Sequence, residues 1–479
     1  MNKSVNYSPN LYNADLAPVN AKQKSWTWIN FTTIWMGMVH NIVAWETAGS
    51  LIGLGMSVWQ AVFTVIVANA VLITGMWLNS VAGVKYGVPF PVIIRAAFGH
   101  KAANIPVVLR AFVAIFWFAV QAYAGSAALN AILGALFPGW NHLAQINVIG
   151  MGLNTAISVV LFWLLHIFII MKGMHRIKLF ELWAGPLVIV FGLILVIWSL
   201  IAAHGFGPFF TNPGKLTNAQ FWTIFPVSVT GLVGVWATLV LNIPDFTRFS
   251  KTQKDQAIGQ LIGLPGTAVL FALMSIITTS GTVIVFGHPI WNLVDLLQKF
   301  GNPFLLFFGA IALIIVTLSV NIAGNVVSPA YDLVNLFPKK LNFIKAGIIS
   351  IILSLFFAPW LWFNSAGIIM QVMGAVGGAL GPVAGIMFAD FYIVHRRQYD
   401  IDSFYREESA YTYSHGWNIN ALIAMGIGTV LALIGLFVPE LKSFYAYSWF
   451  IGVGAGFIIY ALLMSMKDKH VKQEALSEV

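Results

Sequence analysis

Apolar and polar residues segregate along this chain into long blocks. The first 26 residues are polar, are interrupted by Pro9 and Pro18, and carry no apolar run of the kind found in a cleaved signal peptide. Beyond them, runs of the ~20 apolar residues needed to cross a bilayer alternate with short charged stretches. The runs lie near 28–53, 58–82, 107–136, 148–171, 179–202, 222–243, 260–286, 303–330, 343–360, 363–392, 418–438 and 446–466. The pattern predicts twelve membrane-spanning helices.

Composition agrees. Hydrophobic residues make up 59% of the 479 residues and charged residues only 9%, against roughly 25% charged in a soluble globular protein. There are too few charges to cover a solvated surface, so the chain reads as an all-α polytopic membrane protein. The absence of Cys excludes disulfides, thiolate metal sites and Cys nucleophiles.

A net charge of +9 would suggest nucleic acid in a soluble protein, but here topology accounts for it. The N-terminus is placed in the cytoplasm and the spans alternate. The inner segments then hold Lys3, Lys22, Lys24; Lys85, Arg95, Lys101, Arg110; Lys172, Arg176, Lys178; Arg248, Lys251, Lys254; Lys339, Lys340, Lys345; Arg396, Arg397, Arg406; and Lys467, Lys469, Lys472, which is 22 of 25 basic residues. Only Lys215, Lys299 and Lys442 fall outside. A missed or extra span would scramble this asymmetry. The positive-inside rule therefore supports the count, puts both termini in the cytoplasm of a plasma or inner membrane, and removes the case for nucleic acid.

Irregular backbone is tolerated in a membrane only where it is buried in protein or lines a cavity, so interruptions point to a site. The first span places His40, Asn41 and Glu46 within seven residues at mid-span. The sixth carries Gly231 and Gly234 at mid-depth and Pro244 near its end. Paired interruptions at matching positions of two five-span repeats predict an inverted-repeat transporter with a midplane site. The glycines alone fit plain helix packing equally well. On the third span Trp117 and Gln121 are four residues apart, and on the eighth so are Asn321 and Asn325, near Ser319. Indole faces stack, and carboxamides both donate and accept. Such a set suits a planar, neutral heterocycle with amide and carbonyl edges: a nucleobase, a hydantoin or allantoin.

Several blocks then carry a resemblance: Asn30 to Gly37, Lys85 to Arg95, Phe116 to Gln121, Asn242 to Arg248, Ser328 to Tyr331 and Leu380 to Tyr392. Over nearly the whole chain it resembles the nucleobase–cation symporter-1 family, with the bacterial allantoin permeases first and the hydantoin transporter next. The resemblance implies the sodium-symporter fold: a cytoplasmic tail (1–26), two five-helix repeats (27–202 and 203–392), two added C-terminal helices (393–466) and a final tail (467–479). It implies alternating access, with spans 1, 2, 6 and 7 rocking against spans 3, 4, 8 and 9. Span ten, with Gly377, Gly378, Gly381 and Pro382, is expected to hinge over the substrate. Trp117 and Trp236 match the stacking tryptophans, and Gln121, Asn325 and Asn41 match substrate-facing carboxamides. Asn321 falls on a second Asn of the same motif.

The family's sodium site maps onto the carbonyls of Gly37, His40 and Val316 and onto Ser319. Val320 stands where a second hydroxyl is expected, which weakens any sodium site. His40 titrates near neutral pH in water, so the coupling ion is a proton or sodium. Glu46 departs from the family. A mid-bilayer charge costs ~3 kcal/mol, so it is read as a proton carrier, a substrate ligand, or a structural group toward the outer mouth, with Trp45 in the outer vestibule. His166 reads as a packed or interfacial His. Asp245, Asp332 and Asp390, close in sequence to Arg248, Lys339 and Arg396, read as interfacial ion pairs or gate elements and not as ligands. No cofactor or ATP-binding motif is seen. The expectation is a monomeric symporter that imports a nucleobase-like ring, allantoin foremost. Uracil, hydantoin, cytosine or a vitamin ring is the alternative; a channel or intramembrane enzyme is remote.

Overall fold

The computed structural model describes residues 7–172, 189–207, 209, 214–362 and 366–477. Helix follows helix: α1 (Trp28–Val39), α2 (Ile42–Gly53), α3 (Val58–Tyr86), α4 (Asn104–Leu136), α5 (Leu153–Ile170), α6 (Ile189–Ala202), α7 (Asn218–Asn242) and α8 (Gln253–Phe286). After these come α9 (Pro303–Asn325), α10 (Val327–Leu336), α11 (Phe343–Leu353), α12 (Ala366–Ala389), α13 (Ile419–Leu433) and α14 (Ser448–Ser477). Ten described helices are long and apolar enough to cross a membrane. The first predicted span appears instead as two short helices, α1 and α2. Of the fifth, α6 is the described part, while its start at 179–188, with Arg176 and Lys178, lies outside the described residues. The architecture is compatible with twelve spans. Large apolar side chains such as Phe112, Phe168, Phe308 and Phe356 stand exposed on the outer faces, as a lipid-facing surface requires.

Local sequence sets the helix ends. α3 starts on a capping box, with the Gln60 N–H donating to Ser57 Oγ and the Ser57 N–H donating to Gln60 Oε1. It stops at Gly87, whose φ of +70° suits glycine. Thr217 and Gln220 repeat the box at the start of α7.

Two glycine readings change. The sixth span is not interrupted at Gly231 or Gly234, because α7 runs unbroken from Asn218 to Asn242. Gly234 is a packing contact instead: a Cβ on Gly377 of α12 would lie 3.7 Å from its Cα. Span ten is closely packed at the glycines expected to hinge. Cβ atoms on Gly381 and Gly452 would lie 2.9 Å from the Trp449 carbonyl and 2.8 Å from Pro382 Cδ, so α12 and α14 touch backbone to backbone. Small residues that bring membrane helices into contact are a packing device.

The loops predicted to share one side do converge. Lys85 donates to the Arg397 carbonyl, Arg95 to the carbonyls of Leu11 and Phe404, and Arg248 to the Asp15 carbonyl. The N-terminal residues from Tyr7 onward are packed across this basic end rather than trailing from it. The three aspartates are buried, with partners other than their sequence neighbours. Asp332 takes a bond from Arg110 at 2.9 Å, not from Lys339. Asp245 accepts from the Phe90 N–H at 2.8 Å. Asp390 accepts from Tyr399 and Tyr460, each at 2.6 Å, and lies 3.2 Å from His395 Nδ1, with no bond from Arg396. A buried carboxylate takes whichever donor the packing delivers, near in sequence or far.

Candidate functional site

The first span breaks at His40 and Asn41. Asn41 is extended (φ −137°, ψ 165°) and caps α2, its Oδ1 accepting from the Ala44 N–H at 2.9 Å. Its Nδ2 donates to the carbonyls of Met38 (3.0 Å) and Val39 (3.3 Å). Asn competes well for such backbone groups, which is why it ends one helix and starts the next. The break also diverts two donors. The Asn41 N–H donates to the Val39 carbonyl, and the Ala44 N–H goes to the Asn41 side chain. These are the groups that would serve the carbonyls of Gly37 and His40 in an unbroken helix. The two carbonyls named for a cation are thus the two that the break releases. Val316 and Ser319 lie buried on α9, which packs against α1.

Gln121 of α4 donates through Nε2 to Asn41 Oδ1 at 3.1 Å, tying the break to the third span. Asn41 now has both amide hydrogens and both carbonyl lone pairs engaged within the protein. Its side chain is thereby bonded to Gln121. Gln121 Oε1 and the Trp117 indole N–H are buried without a partner. A buried polar atom left unpaired costs ~1–3 kcal/mol unless something else satisfies it.

On α9, Asn325 donates through Nδ2 to Asn321 Oδ1 at 2.9 Å. Asn321 donates to the Phe118 carbonyl at 3.1 Å and lies 3.2 Å from His166 Nε2. Asn321 is fully buried behind Asn325, which is half-buried. His166 is packed, as expected, and also contacts Asn321; a lone imidazole on so apolar a helix was the available signal for that contact. Trp236 is half-buried on α7, packed against the same core that holds Trp117, and the two indoles do not stack on each other.

His40 is buried with its ring on Phe271 and Nε2 3.4 Å from the Thr267 carbonyl. A carbonyl only accepts, so Nε2 carries a proton in this contact. Glu46 accepts from Asn292 Nδ2 at 2.8 Å, across to the segment that precedes the short helix Leu293–Lys299. Trp45 is not in a vestibule: it is 1% exposed, edge-on to Phe271, with its carbonyl taking the Ser275 hydroxyl at 2.6 Å.

A helix broken in mid-membrane, beside buried indoles and amides in an otherwise apolar bundle, defines a multi-pass membrane permease for a small polar ring. The chain belongs to the family described as permeases for cytosine/purines, uracil, thiamine and allantoin, whose model matches residues 18–452. It is 47% identical to the allantoin permease of Bacillus subtilis over 97% of this chain and 95% of that protein. Its fold matches that of Mhp1, a nucleobase-cation-symport-1 family transporter seen closed around bromovinylhydantoin. The TM-score is 0.79 at 23% identity, over 96% of each chain. A sodium-coupled sialic acid symporter shares the fold more distantly, with a TM-score of 0.64 at 12% identity over 97% of this chain and 93% of that one.

Proposed function

We propose that the protein imports a nucleobase-like heterocycle, allantoin foremost, by cation-coupled alternating access across a cell membrane whose cytoplasmic side is its basic end. The observation that carries this reading is the unsatisfied set at the break. The Trp117 N–H and Gln121 Oε1 are buried donor and acceptor atoms without partners, and Asn325 is half-buried on the neighbouring α9. A ring with both N–H and C=O edges satisfies them, and Trp117 and Trp236 stack on its faces. The 47% identical relative is an allantoin permease, which puts allantoin first among such rings.

The rocking units of the reading are each bonded internally. Asn79 of α3 donates to the Val240 and Leu241 carbonyls of α7, and α8 packs so closely on α1 that a Cβ on Gly263 would lie 3.0 Å from Thr32 Cα. In the other unit, Asn321 of α9 donates to the Phe118 carbonyl of α4. The Gln121–Asn41 bond crosses between the units at the site, so occupancy there bears on their relative position. The repeats 27–202 and 203–392 organise these units in our reading.

The test is uptake of radiolabelled allantoin by cells expressing the chain, competed by hydantoins, uracil, cytosine and purines. Saturable uptake blocked best by unlabelled allantoin is expected. Uptake blocked best by another ring transfers the reading to that ring, and unsaturable flux defeats it. The coupling ion is read as a proton in preference to sodium, because Val320 brings no oxygen to the released carbonyls. Uptake is then unaffected when choline replaces sodium and depends on external pH; a strict sodium requirement reverses that reading.

A further inference from the structure

We propose that His166 is a positioning residue for specificity: bonded to Asn321, it holds Asn325 with its carbonyl to the substrate, so the site selects a ring N–H there. This rests on the transport reading above.

The polarity follows from groups whose roles are not adjustable. The Phe118 carbonyl can only accept, so the atom of Asn321 that faces it at 3.1 Å is Nδ2. The Phe162 carbonyl lies 2.8 Å from His166 Nδ1, so that nitrogen is the protonated one. In the neutral ring Nε2 is then a bare acceptor, and it takes the second hydrogen of Asn321 Nδ2 at 3.2 Å. Both hydrogens of that amide are used, and Asn321 Oδ1 is turned toward Asn325. Asn325 must answer it with Nδ2, at 2.9 Å. Its Oδ1 has no hydrogen-bond partner among the described residues and is the acceptor left for a substrate. An amide in isolation can flip, but this one is anchored through Asn321 at two points.

The neighbourhood of His166 supports a fixed ring. It is fully buried and edge-on to Phe118 and Phe162, at 4.7 and 5.0 Å. The whole relay lies on α4, α5 and α9. It spans one proposed rocking unit and moves with the site as a block. At the other edge the same logic holds: the Ala44 N–H fixes Asn41 Oδ1, which fixes Gln121 Nε2 and leaves Gln121 Oε1 as acceptor. Asn325 is the side that His166 controls.

The experiment compares H166Q and H166N, with H166F as an apolar ring. A Gln amide reaches the Nε2 position and can accept from Asn321; an Asn amide reaches only the Nδ1 position and can serve only Phe162. Uptake of allantoin and of its mono-N-methyl derivatives is measured in cells, normalised to membrane expression. In wild type, one methyl isomer is discriminated against most. We expect H166N and H166F to raise KM for allantoin about tenfold, as for a lost hydrogen bond that strands a buried partner. They should reduce the discrimination against that isomer while Vmax stays within about twofold. H166Q should keep both the KM and the discrimination. Unchanged KM and discrimination in H166N overturn the proposal, as does H166Q behaving like H166N, since packing alone then explains the position. Wild type that takes up none of these rings overturns the transport reading and this proposal with it.

Discussion

Asn41→Ser and Asn41→Ala separate two roles of one side chain. Alanine removes the acceptor that caps α2, worth ~1 kcal/mol. It also strands Gln121 Nε2, a buried amide, at ~1–3 kcal/mol. Together the loss is ~2–4 kcal/mol. Serine keeps an oxygen near enough to accept from the Ala44 N–H but too short to reach Gln121, 3.1 Å beyond the Asn amide. The expected order of thermal stability is wild type, then Asn41→Ser, then Asn41→Ala, read by fluorescence size-exclusion after heating in detergent. Allantoin uptake should show KM raised about tenfold in both variants, because Gln121 is released in both. If Asn41→Ser transports with wild-type KM, Asn41 does not position Gln121. If the two variants melt together, the cap carries no weight at the break.

Other outcomes follow from the packing. Arg110→Ala leaves Asp332 buried without its partner and should cost ~3–5 kcal/mol, seen as lost folded protein on size exclusion; replacing both by apolar residues should recover much of it. Gly83→Ala drives a methyl toward Thr247 Oγ1 and to within 2.8 Å of Pro244 Cα; overpacking of ~1–3 kcal/mol should lower the melting temperature. Glu46→Gln keeps an acceptor for Asn292, so uptake and its pH dependence should match wild type, whereas loss of the pH dependence would make Glu46 the proton carrier.

Much of this architecture could be read from hydropathy and charge, because a bilayer forces apolar length and basic asymmetry on every span. The break at His40 and Asn41 was readable too, since polar residues rarely crowd at mid-span without cause. Gly231 and Gly234 misled because glycine serves close packing as readily as interruption, and only the neighbour Gly377 decides between them. Asp332 misled for another reason: its partner, Arg110, lies 222 residues away in sequence, while Lys339 is merely nearby. The relay behind Asn325 was out of reach on the same ground, with His166 and Asn321 separated by 155 residues. Trp45 looked like a vestibule residue by its position on the span, and only the packing of Phe271 shows it to be core.

The central claim is that the buried, unsatisfied atoms of Trp117 and Gln121 receive the transported ring. Its most direct test is radiolabelled allantoin uptake by cells expressing Trp117→Ala or Gln121→Ala at wild-type levels in the membrane. The account predicts that each variant loses saturable uptake. Normal uptake by both would contradict it.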